Sequence, residues 1–226
     1  FRKGYPWRVL AVGPGHGLQL KSGRLLAPVW LSTGTGGHAH RPSVAATIYS
    51  DDRGRTWRAG AIAIGDTPEW VNPGETTAVE LSGGRVMLNV RSESKQNRRL
   101  VTVSKDGISG WSSPRFQEEL PEPICFGSIA RVSGNILVFS NPDNLTKTNG
   151  EAEPGKPRDR RNLTIHLSED EGKSWKRKRV LDQGWAGYSD LVVRPNGELL
   201  CLYERGRSEA LTLARFNLDW VRKPAS

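Results

Sequence analysis

Long apolar runs are missing from this 226-residue chain. No stretch approaches the roughly 18 apolar residues that a membrane-spanning helix needs, so such a helix is excluded. Cysteine is scarce as well: Cys125 and Cys201 are the two, each among apolar neighbours, with no CxxC pair and four dispersed histidines. That scarcity supports neither a zinc site nor a redox pair and argues against a cysteine nucleophile. Extended helical stripes are also lacking. In their place stand 25 glycines, 14 prolines and eight tryptophans between short apolar segments. This is the pattern of an all-β protein built from many short strands and turns, and 36% hydrophobic residues suffice for a core. The chain opens at Phe1, and FRKGYPW contains no apolar signal-peptide region, so processing or truncation is expected to have removed its start.

Charge of one sign dominates, with 33 Lys and Arg against 24 Asp and Glu and a net charge of +9. Such an excess favours an anionic partner through long-range attraction. The basic clusters RKGYPWR, KQNRR, KPRDRR and KRKR are scattered, however, and are not interleaved with aromatics as in a recognisable nucleic-acid module. Nucleic acid is therefore not the expected partner.

What the sequence does have is a repeat. Ser50–Trp57 and Ser168–Trp175 both fit S-x-D-x-G-x-x-W, and Ser104 through Trp111 is a degenerate third copy. Each follows a β-like stretch. Asp in such a turn accepts backbone N–H groups, Gly permits positive φ, and Trp is expected to pack back between sheets. A second hairpin recurs between these copies, in LQLKSGRLLAPVW, VELSGGRVMLNV, ARVSGNILVFS and VVRPNGELLCLY. Its turn glycines Gly23, Gly84, Gly134 and Gly197 are separated by 61, 50 and 63 residues. Two hairpins per period make a four-stranded unit, and radially repeated four-stranded units are the blades of a β-propeller. About four blades can be counted, the last without its own Asp-bearing turn, which leaves a closed four-bladed ring open as one arrangement.

The S-x-D-x-G-x-x-W turn resembles the Asp box of sialidases (neuraminidases) and other bacterial-neuraminidase-repeat proteins. In that family the turn is structural and lies away from the active site. The resemblance extends from GPGHGLQLKSGRLLAPVW through ETTAVELSGGRVMLNVRS, RRNLTIHLSEDEGKSW and GYSDLVVRPNGELLCLYERG to RFNLDW, nearly the whole chain. It implies a six-bladed catalytic propeller, of which residues 1–226 would be a partial domain without the N-terminal blades. Exo-sialidases place a Glu sixteen residues before an Arg across a hairpin of this kind, matched by Glu75 and Arg91. A further Arg eight residues before the last Asp box is matched by Arg160, with Arg161 as the fallback. The nucleophilic Tyr that opens the next blade is matched by Tyr188. The family's first site Arg and its acid/base Asp have no match.

The chemistry implied is coherent. Sialic acid carries a carboxylate on the carbon where the glycosidic bond breaks, and the guanidinium forks of Arg91 and Arg160 suit that anion. A carboxylate nucleophile would be repelled by it, whereas the neutral phenol of Tyr188 would not. A free phenol has a pKa near ~10, so a base is required, and the resemblance assigns that role to Glu75. Hydrolysis would proceed with retention through a glycosyl-tyrosine, and neither a metal nor an organic cofactor is implied. His16 and Trp70 are candidates for the pocket rim. The expected partners are sialylated glycoproteins, glycolipids and oligosaccharides, and the expected location is secreted or periplasmic. Taken singly, Tyr188 reads as a core aromatic, Arg91 as a strand-end ion pair, Glu75 as a loop carboxylate and Arg160 as one charge of a solvated run. The competing function is a non-catalytic propeller that binds glycans or proteins, and a pure scaffold has no reason to keep Glu75, Arg91, Arg160 and Tyr188 together.

Overall fold

The computed structural model describes residues 3–35 and 37–223. Its strands fall into consecutive antiparallel sheets. The first contains β1 (Val9–Val12), β2 (Leu18–Gln19), β3 (Leu25–Ser32), β4 (Ser43–Ser50) and β5 (Arg58–Ile64). The second contains β6 (Thr76–Glu80), β7 (Val86–Val90), β8 (Arg98–Ser104) and β9 (Arg115–Pro121). The third contains β10 (Ser128–Ser133), β11 (Ile136–Pro142), β12 (Arg161–Ser168) and the first part of β13 (Arg177–Val193). After a shift in partner, β13 continues as the innermost strand of a fourth unit with β14 (Leu199–Arg205) and β15 (Ala210–Phe216), followed by the short helix α1 (Leu218–Arg222). The fourth blade thus has three strands, and one 17-residue strand serves two blades. In the first blade the innermost position is split, because β1 pairs with the end of β3 and β2 with its beginning.

This up-and-down order sorts the loops into two groups. The β6, β10 and second-half β13 strands each lead into a hairpin turn, at Gly84, Gly134 and Gly197. The three Asp-box turns, which follow β4, β8 and β12, lie at that same end. Loops 65–75, 91–97, 122–127 and 143–160 and the bend in β13 therefore gather at the opposite end.

The box turns close as the residue types dictate. Asp170 accepts from Ser174 N (2.9 Å), Ser174 Oγ (2.7 Å) and Ser168 Oγ (2.8 Å), and Gly172 N donates to Ser168 Oγ at 2.8 Å. Asp52 repeats the pattern with Thr56 and Ser50, and Asp106 repeats it with Ile108, Ser109 and Ser104. Gly172 has φ +78°, a backbone conformation that favours glycine, and it packs closely against the end of the Met87 side chain.

Apolar faces of successive sheets form the cores. Leu26, Ala78, Leu88 and Leu100 join the first blade to the second, and Val79, Met87, Leu137 and Phe139 join the second to the third. Val138, Ile165, Leu191 and Cys201 join the third to the fourth. No such cluster among the described residues joins the fourth blade to the first. Leu202, Leu211 and Leu213 on the fourth sheet are instead exposed, so the four-bladed arrangement is an arc and not a closed ring. Trp175 and Trp111 pack between blades as expected. Trp57 does not, and is 46% exposed. The apolar clusters that hold Trp111 and Trp175 each include residues of the sheet preceding their own, and the first blade has no preceding sheet among the described residues.

Candidate active site

The end of the arc opposite the Asp boxes gathers the polar side chains singled out in the sequence. Gly74 N donates to Arg91 O at 2.9 Å and Arg91 N to Glu75 O at 3.0 Å. These bonds extend the β6–β7 ladder by one pair and set Glu75 and Arg91 side by side across the hairpin. Their side chains form an ion pair through Arg91 Nη1 and Glu75 Oε2. From the fourth blade, the Tyr188 hydroxyl donates to Glu75 Oε1, and Arg91 Nη1 donates to that hydroxyl at 3.2 Å. From the third, the Arg160 guanidinium lies over the Tyr188 ring, 5.2 Å from its centroid. Residues 113 apart in the sequence thus share one hydrogen bond.

The electrostatics follow from this packing. Burial, the Glu75 charge and the hydrogen bond to Glu75 push the Tyr188 phenol up to about 12, against the opposing pull of Arg91 and Arg160. The phenol is therefore protonated at rest, with its proton directed at a carboxylate. Burial works against the Arg91 charge, but Glu75 and Tyr188 outweigh it and hold the guanidinium charged.

Several supports were not visible in the sequence. Phe126 packs edge-on to Tyr188, with ring centroids 5.8 Å apart. Tyr188 sits at an irregularity in the β13–β14 pairing, and its N–H donates to Glu204 Oε2 at 2.9 Å instead of to the ladder. Gly187 makes room for that carboxylate, since a Cβ at this position would lie 2.1 Å from Glu204 Oε2. Beneath the site, Arg99 and Glu122 form a fully buried ion pair. Burial pushes the Glu122 carboxyl up, opposed by Arg99, by the Cys125 N–H and by Arg91. Arg99 also donates to Cys125 O at 3.1 Å, and Arg160 Nη2 donates to Ile124 O at 3.1 Å. Ile124 has φ +64°, a costly conformation for a β-branched residue. It turns the carbonyl of loop 122–126 toward Arg160. No local pattern announces any of these residues, because each acts through a partner distant in the chain.

The remaining candidates divide. Arg161 is exposed and donates to Thr146 Oγ1 at 3.1 Å, so Arg160 and not its neighbour faces Tyr188. His16 lies near the arc's axis with Nδ1 2.8 Å from Asp190 Oδ1, which also accepts from Ser128 Oγ. The hydrogen bond to Asp190 raises the His16 pKa, although burial opposes it. His16 thus lines the axial cavity formed by the inner strands and does not stand at the rim of the Tyr188 site. Trp70 packs against the core between the first two blades, with its Nε1 buried and unbonded, so its size and apolar character place it in the wall and not at the rim. Both cysteines are buried, and burial pushes each thiol up to about 12. Among the described residues, no three His, Cys, Asp or Glu side chains stand together as metal ligands.

Comparison with known proteins agrees with this fold. The BNR repeat-like domain family matches residues 2–201. A sialidase of Micromonospora viridifaciens is 33% identical over 95% of this chain and 31% of its own length. A sialidase of Bacteroides fragilis is 30% identical over 88% of this chain and 34% of its own length. The chain therefore spans about a third of the length of these relatives. Among solved structures, the Hadza microbial sialidase Hz136 superposes with a TM-score of 0.75 at 27% identity, over 95% of this chain and 39% of that one. With repeats, fold and relatives in agreement, the chain belongs to the sialidase family of BNR-repeat proteins and forms part of that family's β-propeller.

Proposed function

We propose that this chain supplies catalytic machinery of an exo-α-sialidase, which hydrolyses terminal sialic acids from glycoproteins, glycolipids and oligosaccharides with retention of configuration. The observation that carries this reading is the convergence of Glu75, Arg91 and Tyr188 in one hydrogen-bonded set, with Arg160 over the phenol ring. Three different blades contribute to it, and a scaffold gains nothing from that convergence.

In this mechanism Arg91 and Arg160 hold the substrate carboxylate and so fix the anomeric carbon against Tyr188. Glu75 takes the phenolic proton as the Tyr188 oxygen attacks the anomeric carbon. The bond to the leaving sugar breaks, and its oxygen takes a proton from an acid outside this set. Water then attacks the glycosyl-tyrosine and gives its proton to the conjugate base of that same acid, while the bond to Tyr188 breaks and Tyr188 recovers its own proton from Glu75. A phenol at about 12 cannot act as free phenoxide near neutrality, so its proton must leave during attack, which is what a carboxylate in contact allows.

Release of fluorophore from a 4-methylumbelliferyl sialoside tests the reading. This leaving group is an acidic phenol and departs without a general acid, so the assay addresses the residues present. Turnover that disappears in Tyr188→Phe supports it. Turnover unaffected by that substitution would exclude Tyr188 as the nucleophile.

A further inference from the structure

Beside Tyr188, at the same end of the arc, opens a cleft of about 700 Å³, within the size range of small-molecule sites. Arg160 lines it, as do Lys147, Arg158, Arg161 and Arg207, with Trp185 in its wall. None of these five cations is within ion-pair distance of a carboxylate among the described residues. By contrast, the partly buried Arg91 and the fully buried Arg99 elsewhere are each paired with a carboxylate. Arg158 is the clearest case. It is 8% exposed, and its guanidinium donates to neutral acceptors: Leu145 O, Lys156 O, Ala152 O and Asn97 Oδ1. The one carboxylate in the lining, Asp159, is committed to Thr148 N and Oγ1, both at 2.6 Å. A buried guanidinium without a counter-charge is costly unless an anion approaches it. Arg207 is exposed at the cleft, and Arg161 is exposed there with one neutral partner, Thr146 Oγ1.

We infer that this cleft is the leaving-group subsite and that it selects a sugar bearing its own anion, a carboxylate or a sulfate ester. The inference rests on the proposed function for its orientation, since Arg160 belongs both to the Tyr188 site and to the cleft. Trp185 offers a flat apolar face for a pyranose ring, and its indole passes so close to Gly187 that a Cβ there would lie 2.9 Å from Cη2. A sugar stacked on Trp185 is thereby held one residue from the backbone of Tyr188. The surrounding cations then favour a charged over a neutral leaving sugar, as electrostatic complementarity does in general.

Calorimetric titration of the chain and of an Arg161→Ala, Arg207→Ala double variant tests this with three probes: 3′-sialyllactose, α2,8-linked disialic acid and galactose 6-sulfate. The disialic acid is expected to bind about tenfold tighter than sialyllactose, with the advantage reduced to about twofold or less in the double variant. Affinity for sialyllactose should be unchanged there. Galactose 6-sulfate should bind the chain and fail to bind the double variant, which separates the sulfate source of charge from the carboxylate source. Equal affinity for the two sialosides, or an advantage that survives the double substitution, overturns the inference. Binding of galactose 6-sulfate through Arg161 and Arg207 without binding of any sialoside would instead overturn the proposed function and leave the anion-selective cleft standing. Failure of all three probes overturns both.

Discussion

Replacing Glu75 with Gln isolates the role of the carboxylate, because size and polarity are kept while charge and proton affinity are lost. In the intact site Glu75 Oε1 takes the Tyr188 hydrogen bond and Oε2 pairs with Arg91. Three influences raise the phenol to about 12: burial, the Glu75 charge and the Glu75 hydrogen bond. In the variant the charge is lost and the hydrogen bond weakens to one accepted by a neutral amide oxygen, whereas Arg91 and Arg160, which pull the other way, remain. The Tyr188 phenol should therefore titrate below about 12 in Glu75→Gln. Yet kcat should fall by about 10²–10⁴-fold, the usual share of a general base, equivalent to about 3–5 kcal/mol of barrier. A more acidic nucleophile in a slower enzyme distinguishes loss of a base from simple loss of acidity. Stability should also decline, because Arg91 and Glu75 have side chains only 21% and 18% exposed. Loss of the partner charge is worth about 2 kcal/mol there, less than for a fully buried pair. The phenol is followed by ultraviolet titration of Glu75→Gln against the same variant carrying Tyr188→Phe, which subtracts the other three of the four tyrosines. An unchanged kcat, or a phenol that titrates higher than before, would refute the assignment.

Other consequences can be checked separately. Glu204→Ala removes the acceptor of the Tyr188 N–H and should lower kcat about tenfold with KM within about twofold, because only the approach of the phenol is disturbed; a normal kcat would mean that the irregular pairing holds Tyr188 unaided. Glu122→Gln leaves Arg99 fully buried without its counter-charge and should cost about 3 kcal/mol in urea unfolding, whereas Arg99→Met with Glu122→Leu should recover much of that loss. A loss below about 0.5 kcal/mol in the single variant would contradict the pairing. His166 is fully buried, and burial holds its pKa down to about 4, against about 6.5 in an unfolded chain. The unfolded state therefore binds the proton first as pH falls, so stability present above pH ~6.5 should be lost toward pH ~4, by at most about 3 kcal/mol. Urea titrations at both ends of that window should show the loss in the parent chain and a flatter dependence in His166→Asn; equal slopes would assign the acid sensitivity elsewhere.

The blades were legible because their determinants are local. An Asp box closes through side chains within a few residues of one another, and the hairpin glycines mark turns by backbone conformation alone. Glu75 and Arg91 were legible because a tight hairpin makes their spacing a cross-strand pair. The two-blade strand β13 was not, since nothing in RKRVLDQGWAGYSDLVV marks where its partner changes. Trp57 shows the limit of reasoning from repeats: identical motifs fold alike, but burial depends on the neighbouring sheet. Trp70 shows another, because an aromatic in a loop rich in polar residues looks like a rim until its packing partner is known. The supporting shell of Phe126, Ile124, Glu122 and Glu204 depends on contacts between blades, which no spacing encodes.

Attack of Tyr188 on the anomeric carbon, with Glu75 as its base, must leave the sialyl group on the phenolic oxygen. Mass spectrometry of the chain after incubation with a fluorinated sialyl fluoride, which forms the glycosyl-enzyme faster than it hydrolyses, tests it most directly. One adduct is expected on the peptide containing Tyr188, absent from Tyr188→Phe and formed more slowly in Glu75→Gln. An adduct on any other residue, or none where the sialoside is bound, would contradict it.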